Sequence, residues 1–234
     1  MSLKHHLDVH STYNKIIRMK KTTIAILASL GLAFAIPASA QEYMFTYSKL
    51  YTQLKNNNKE GHDDVKVAVF FIDQETQKIC NIKKAWMEKE EHYEEFDIPS
   101  SNEFPLPIDS NLRSANPLIF VQTEEEVCDY SLVVMTKEPL DGSVSYENIE
   151  TLLPQMQIML EDLSGMFSSW FTPKITGVTL EFANNLNSDI KTSSGKSIPI
   201  IDGKARFTLD DLQKGDTLVL PEATQRVLPY IPAQ

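Results

Sequence analysis

The densest group of ionisable side chains in the sequence is Glu88-Lys89-Glu90-Glu91-His92-Tyr93-Glu94-Glu95. On a helix, Glu88, His92 and Glu95 would share one face at i, i+4, i+7, the spacing of a metal site. On a strand, His92 and Glu94 would project together and Glu95 would point away. One imidazole among carboxylates makes a weak zinc site. The next histidine, in His62-Asp63-Asp64, stands about thirty residues upstream and could complete it only through the fold. His62 and His92 with neighbouring carboxylates therefore define the enzymatic alternative, a hydrolase or a metal-dependent enzyme. The plainer reading is a solvated acidic edge, which also discourages strand-to-strand aggregation.

Other catalytic signatures are missing. The sequence has no nucleophile elbow, H-E-x-x-H, Walker loop or G-x-G-x-x-G. Asp141-Gly142 and Asp202-Gly203 lack the ligand spacing of a calcium loop. Asp63/Asp64 and Asp210/Asp211 are the group type a glycosidase uses, but adjacent acids are too common in this chain to be specific. No catalytic residue, metal ligand or cofactor is assigned on these grounds.

Cys80 and Cys128 are the two cysteines of the chain, and in an oxidising compartment they permit one intramolecular disulfide. A redox-active thiol would need a close partner or a basic neighbourhood, whereas Cys128 sits between Glu124-Glu125-Glu126 and Asp129. A structural staple is expected. Met156, Met159, Met166, Phe167 and Trp170 form a third group. Adaptable methionines with aromatic anchors could line a groove for a hydrophobic ligand or an envelope protein. The competing reading is a helix face buried as core, which every folded domain needs.

Charge limits the partners. The first 40 residues hold five basic side chains and one acidic, out of the chain's 22 Lys+Arg and 32 Asp+Glu, so the remainder carries a formal charge of −14. There is no basic stripe, and Arg113, Arg206 and Arg226 are the arginines of that remainder. Nucleic acid and anionic membrane surfaces are excluded as partners on this count, and a cationic partner fits better.

The first 40 residues read as an export segment. Met19-Lys20-Lys21 is a positive n-region, Ile24 to Ile36 an apolar run of about 13 residues, and Pro37-Ala38-Ser39-Ala40 a small-residue cleavage site before Gln41. The run is too short to span a bilayer, which takes about 20 apolar residues. Residues 1–18, with His5, His6 and His10, read as a mis-assigned start or an extended n-region ahead of the signal at 19–40. The expected product is a soluble periplasmic protein without a transmembrane anchor.

These groups must be positioned by the elements that follow. Tyr47, Leu50, Tyr51 and Leu54 predict a short amphipathic helix over 46–56, with Ser48 a candidate cap. Val65 to Ile72 predicts a buried strand, with Ile79 to Met87 as its hairpin partner across Asp73–Thr76. Further strands are expected at 92–98, 103–108, 117–122 and 128–137. An apolar face running from Ile149 to Trp170 predicts one long amphipathic helix at 145–171, capped by Ser145, kinked or restarted at Pro154 and ended by Pro173. Beyond it, Val178, Leu180 and Phe182 alternate inward. Ile198–Ile201 and Lys204–Leu209 read as a hairpin around Asp202-Gly203, and Thr217–Leu220 as a short strand. Pro221, Pro229 and Pro232 predict an extended, incompletely paired end.

The fold class expected is α+β: β-rich, with antiparallel sandwich-like sheets. An N-terminal β unit (41–140) and a C-terminal β unit (174–234) would join through the helix.

Several stretches carry a resemblance: Ala85-Trp86-Met87-Glu88-Lys89-Glu90-Glu91-His92-Tyr93, Leu106-Pro107-Ile108 with Ala115-Asn116-Pro117, Gly165-Met166-Phe167 with Trp170-Phe171-Thr172-Pro173, and Leu228-Pro229-Tyr230-Ile231-Pro232. Together they resemble the exported gammaproteobacterial family catalogued as domain of unknown function 2987, over nearly all of the mature chain. The resemblance implies a periplasmic location and brings no activity or catalytic residues. The function expected is a non-enzymatic binding or envelope-accessory module, with the helix face and adjoining sheet as its contact surface.

Overall fold

The computed structural model describes residues 41–164 and 173–232. The export segment, the cleavage position Ala40, and Met166, Phe167 and Trp170 lie outside the described residues. In chain order the elements are β1 (Glu42–Thr46), α1 (Tyr47–Leu54), β2 (Val65–Asp73), β3 (Ile82–Lys89), β4 (His92–Glu95), α2 (Ser110–Ala115), β5 (Leu118–Thr123), β6 (Cys128–Thr136) and β7 (Ser143–Ser145). They continue with α3 (Tyr146–Ser164), β8 (Gly177–Glu181), β9 (Ser188–Thr192), β10 (Ser197–Ile200), β11 (Lys204–Thr208), β12 (Thr217–Val219) and β13 (Arg226–Tyr230). The chain is β-rich and α+β, and its strand pairs are antiparallel. The sheets run β1-β5-β3-β4, β2-β6, β10-β9-β12-β7 and β11-β8-β13. Among the described residues, no helix is long and apolar enough to cross a membrane.

β2 is buried on both faces along its apolar run Val67–Phe71 and pairs with β6 over nine positions, from Val65↔Thr136 to Asp73↔Cys128. The expected hairpin with 79–87 does not form. After the turn the chain makes one bridge, Ile72↔Ile79, and then β3 leaves for another sheet beside β5 and β4. The second edge of β2 is satisfied piecemeal. Cys80 N–H donates to Phe71 O (2.8 Å), Phe104 N–H to Val69 O (2.9 Å), and the Asn57 amide bonds both backbone groups of Val67 (2.7 and 2.8 Å). A full strand is not needed where each backbone group already has a partner.

The segment 103–108 is likewise not a strand. Pro105 and Pro107 remove two N–H donors. Phe104 and Leu106 are still buried, and the Tyr47 hydroxyl holds the segment by donating to Pro107 O (2.6 Å) and accepting from Asp109 N–H (2.9 Å). Asp109 then caps α2, a helix the sequence reading missed, through the N–H groups of Asn111 and Leu112 (2.6 and 3.0 Å). Ser48 does not cap α1. Its N–H donates to the distant Asn116 Oδ1 (2.9 Å) instead.

α3 begins as its sequence demands. Ser145 Oγ accepts from Asn148 N–H (3.2 Å), and Asn148 Oδ1 accepts from Ser145 N–H (3.0 Å), a capping box with Asn in the usual Glu place. Pro154 sits inside the helix on an exposed position. Ile149, Leu152, Leu153, Met156 and Met159 are buried against β2, β6, β7 and β8. Each such side chain contributes about 1.5–3 kcal/mol by leaving water.

The Asp202-Gly203 turn forms with the positive φ angles foreseen, 49° and 75°. Yet its flanks share only the Ile201↔Lys204 bridge before β10 joins β9 and β11 joins β8. The C-terminal stretch pairs more fully than its prolines suggest. β13 lies on β8 from Arg226↔Glu181 to Tyr230↔Gly177, with Pro229 tolerated because β13 is an edge strand. β8 takes β11 on its other side so closely that a Cβ at Gly177 would meet Phe207 O at 2.0 Å. One hydrophobic cluster extends from Phe45 through Met156 to Val227, joining residues of both halves of the chain.

Candidate functional site

The acidic cluster of residues 88–95 is a hairpin, β3 and β4 joined by Glu90-Glu91, with Glu90 at φ 56°. Strand alternation therefore governs it. His92 lies opposite Lys89 and Glu94 opposite Met87, while Tyr93 and Glu95 stand on the other face opposite Glu88 and Trp86. His92 is exposed and lines a cleft of about 340 Å³ with Met87, Glu94, Leu112 and Pro117. His62 does not line it. That side chain is buried ahead of β2, 1% exposed, with neither ring nitrogen hydrogen-bonded. Among the described residues, the group of three ligand atoms within 4.8 Å is Cys80, Glu125 and Cys128, and neither histidine belongs to one. The two sulfurs of that group are bonded to each other at 2.05 Å, leaving no thiolate for a metal or a redox step.

Over its described length, the helix face expected from sequence to be a contact surface packs against the sheets. Met156 and Met159 are fully buried and belong to the core over the described length of α3. The physical reason is that α3 lies across several sheets, which leave that stripe nothing else to face.

Exposed apolar side chains also occur singly elsewhere, as at Ile158, Ile201 and Val219, but on the sheet β1-β5-β3-β4 they adjoin one another. Alternation turns Tyr43, Phe45, Ile119, Val121, Ala85 and Met87 inward. The opposite face presents Met44, Phe120, Trp86 and Glu95 in one register row, with Thr46, Leu118, Glu88 and Tyr93 in the next. Met44 is 62% and Tyr93 53% exposed. Trp86 and Phe120 stack with ring centroids 5.1 Å apart and planes within 9°, and Tyr93 lies 6.4 Å from Trp86. Lys84 Nζ sits over both Trp86 and Tyr93 (5.4 and 5.6 Å), as a cation does on aromatic faces.

Polar groups around the row are tied down. Trp86 Nε1 donates to Glu88 (3.2 Å), Tyr93 OH to Glu95 (3.0 Å), and Gln122 to Glu42 (2.9 Å). Lys84 pairs with Glu95 at 3.3 Å. The Tyr93 hydroxyl and then Glu95 hold the Lys84 ammonium above its ordinary pKa, so it stays charged. Glu42, Glu88 and Glu95 against Lys84 leave this face anionic at its rim. The arrangement offers a stacked apolar row bordered by hydrogen-bonded carboxylates, which suits recognition.

Tyr93 stands in the ionisable cluster and Trp86 in the stretch that carries the resemblance, whereas no sequence signal singles out Met44, Leu118 or Phe120. Alternation within β1 and β5 could have placed them on one face. What the sequence could not supply was the strand order that makes them neighbours.

The fold and this surface define a disulfide-stapled, β-rich α+β protein with an exposed aromatic sheet face. The chain belongs to the family described as Protein of unknown function (DUF2987), which matches residues 39–182. The match holds the whole of the sheet β1-β5-β3-β4, the sheet β2-β6, α3 and β8 and ends at residue 182, so the closing Leu228–Pro232 stretch lies outside it. No curated protein matches the chain. No solved structure matches it.

Proposed function

We propose that the protein is an exported periplasmic module without catalytic activity, which docks an envelope protein on the outer face of the sheet β1-β5-β3-β4. The observation that carries this reading is the solvent-facing row of Met44, Phe120 and Trp86, continued by Leu118 and Tyr93 and rimmed by carboxylates. Exposed apolar side chains scattered singly need no explanation, whereas a contiguous, stacked row with a polar rim marks a contact surface. Charge complementarity sets the occupant: a segment bearing aliphatic or aromatic side chains together with Lys or Arg. The n-region, apolar run and Ala40-Gln41 junction support export, and the buried Cys80–Cys128 disulfide suits an oxidising compartment.

Two measurements test this. N-terminal sequencing of the protein from a periplasmic fraction should begin at Gln41; a start elsewhere, or a purely cytoplasmic protein, overturns export. Capture from periplasmic extract should then compare the parent with Trp86→Ala and Met44→Asp variants. A partner held by the parent, lost from both variants and released by salt near about 0.5 M is expected, because exposed charge attraction is screened there. Retention by both variants, or no retained partner, overturns the docking face.

A further inference from the structure

A second concave feature, independent of the outer face, lies where the two-stranded sheet β2-β6 meets the three-stranded sheet β11-β8-β13. It is a groove of about 760 Å³, within the ~300–1,000 Å³ usual for small-ligand sites. Its floor is apolar. Phe70, Ile72 and Val133 come from β2 and β6, and Leu228 from β13. These belong to a small hydrophobic cluster separate from the main core. Its lining is also charged: Lys78, Lys204 and Arg226 against Glu181 and Asp202, three positive side chains to two negative. That balance stands out in a chain whose formal charge is −10.

The cations are positioned by register. Lys204 on β11 and Arg226 on β13 both face Glu181 on the central strand. Glu181 accepts from Arg226 Nε at 2.6 Å and pairs with Lys204 Nζ at 2.8 Å. The Arg226 guanidinium also rests over the Phe70 ring at 5.7 Å. Its bond to Glu181 runs through Nε, and among the described residues no protein acceptor is bonded to its terminal amino groups. A guanidinium held from one side by a carboxylate and from below by a ring presents its remaining donors in a planar fork, a geometry suited to a second carboxylate.

We propose that this groove binds a single-chain amphipathic carboxylate of the fatty-acid class, its head on Arg226 and Lys204 and its tail along Phe70, Ile72 and Val133. Titration calorimetry with the exported protein and decanoate tests this. Saturable binding at one site is expected, with decyltrimethylammonium and decanol at least about tenfold weaker because they offer Arg226 no anion. Lys204→Gln should weaken decanoate several-fold. Val133→Phe fills the floor without touching a charge and should do the same, which keeps the test sound if Arg226→Gln fails to fold. Decyl phosphate separates the possible head groups, and binding of it as tight as decanoate would overturn the carboxylate assignment. No decanoate binding, equal binding of the cationic amphiphile, or affinity unchanged in both Lys204→Gln and Val133→Phe would overturn the site itself. A negative result here leaves the capture experiment on the outer face untouched.

Discussion

Glu181 shows how a single residue is decided by its surroundings. The alternation of Val178, Leu180 and Phe182 marks one face of β8 as core, and the other face would ordinarily be wet. Here β8 is central and covered on both faces, so Glu181 ends 7% exposed. Burial opposes its ionisation, but the hydrogen bonds from Lys204 and Arg226 outweigh that and hold its pKa below the ordinary glutamate value. A carboxyl depressed in the folded state stabilises the protein above its unfolded pKa, and that contribution is lost as pH falls through the folded value. Glu181→Gln should therefore lower the unfolding free energy by about 2 kcal/mol at neutral pH. Both cations contribute, Lys204 through the stronger hydrogen bond but half exposed and so more fully screened than Arg226. The gap between the two proteins should narrow once pH drops below about 4. Urea unfolding at both pH values checks it, and a gap of equal size at each would mean the carboxylate charge is not what stabilises.

Among the elements, two turns and the strands flanking them form where the sequence places them, but those strands do not pair with each other. Asp73–Thr76 and Asp202-Gly203 both reverse the chain, yet each is followed by a single bridge and a departure to different sheets. Turn chemistry is local, whereas strand partners are chosen by which edges are open: β2 pairs with β6, β10 with β9 and β11 with β8. α3 was legible for the converse reason: its cap and apolar stripe are written within the helix itself. What the stripe faces was not. Because Met156 is fully buried beneath the sheets, Met156→Ala should cost about 2–5 kcal/mol, read as a lowered urea midpoint with unchanged slope. Stability close to that of the parent would show the methionine to be a surface contact rather than core.

At the scale of the molecule, the Cys80–Cys128 disulfide spans 48 positions and lies where the chain passes from β2 towards β3. Both cysteines are buried, and Tyr43 OH bonds the Cys128 backbone on both sides, accepting from its N–H at 3.0 Å and donating to its carbonyl. Closing a loop of that length stabilises the folded state by about 4 kcal/mol in the chain-entropy model. The Cys80→Ala/Cys128→Ala double variant should therefore lose about that much in urea unfolding, and reductant should shift the parent by a similar amount. A parent whose unfolding midpoint ignores reductant would show that the link contributes nothing.

The sequence by itself determined what depends on composition and short-range pattern. The strongly acidic chain beyond residue 40, the β-rich α+β class, the capped start of α3, the positive-φ turn at Asp202-Gly203 and the pairing available to two cysteines all follow from neighbouring residues. The tertiary structure alone decided which faces meet. It buried Met156 and Met159, separated His62 from His92, joined Lys204 and Arg226 across Glu181, and left Met44, Phe120 and Trp86 on an open face. Strand order and the packing of α3 on the sheets set those outcomes, and both depend on distant segments that no short window of residues contains.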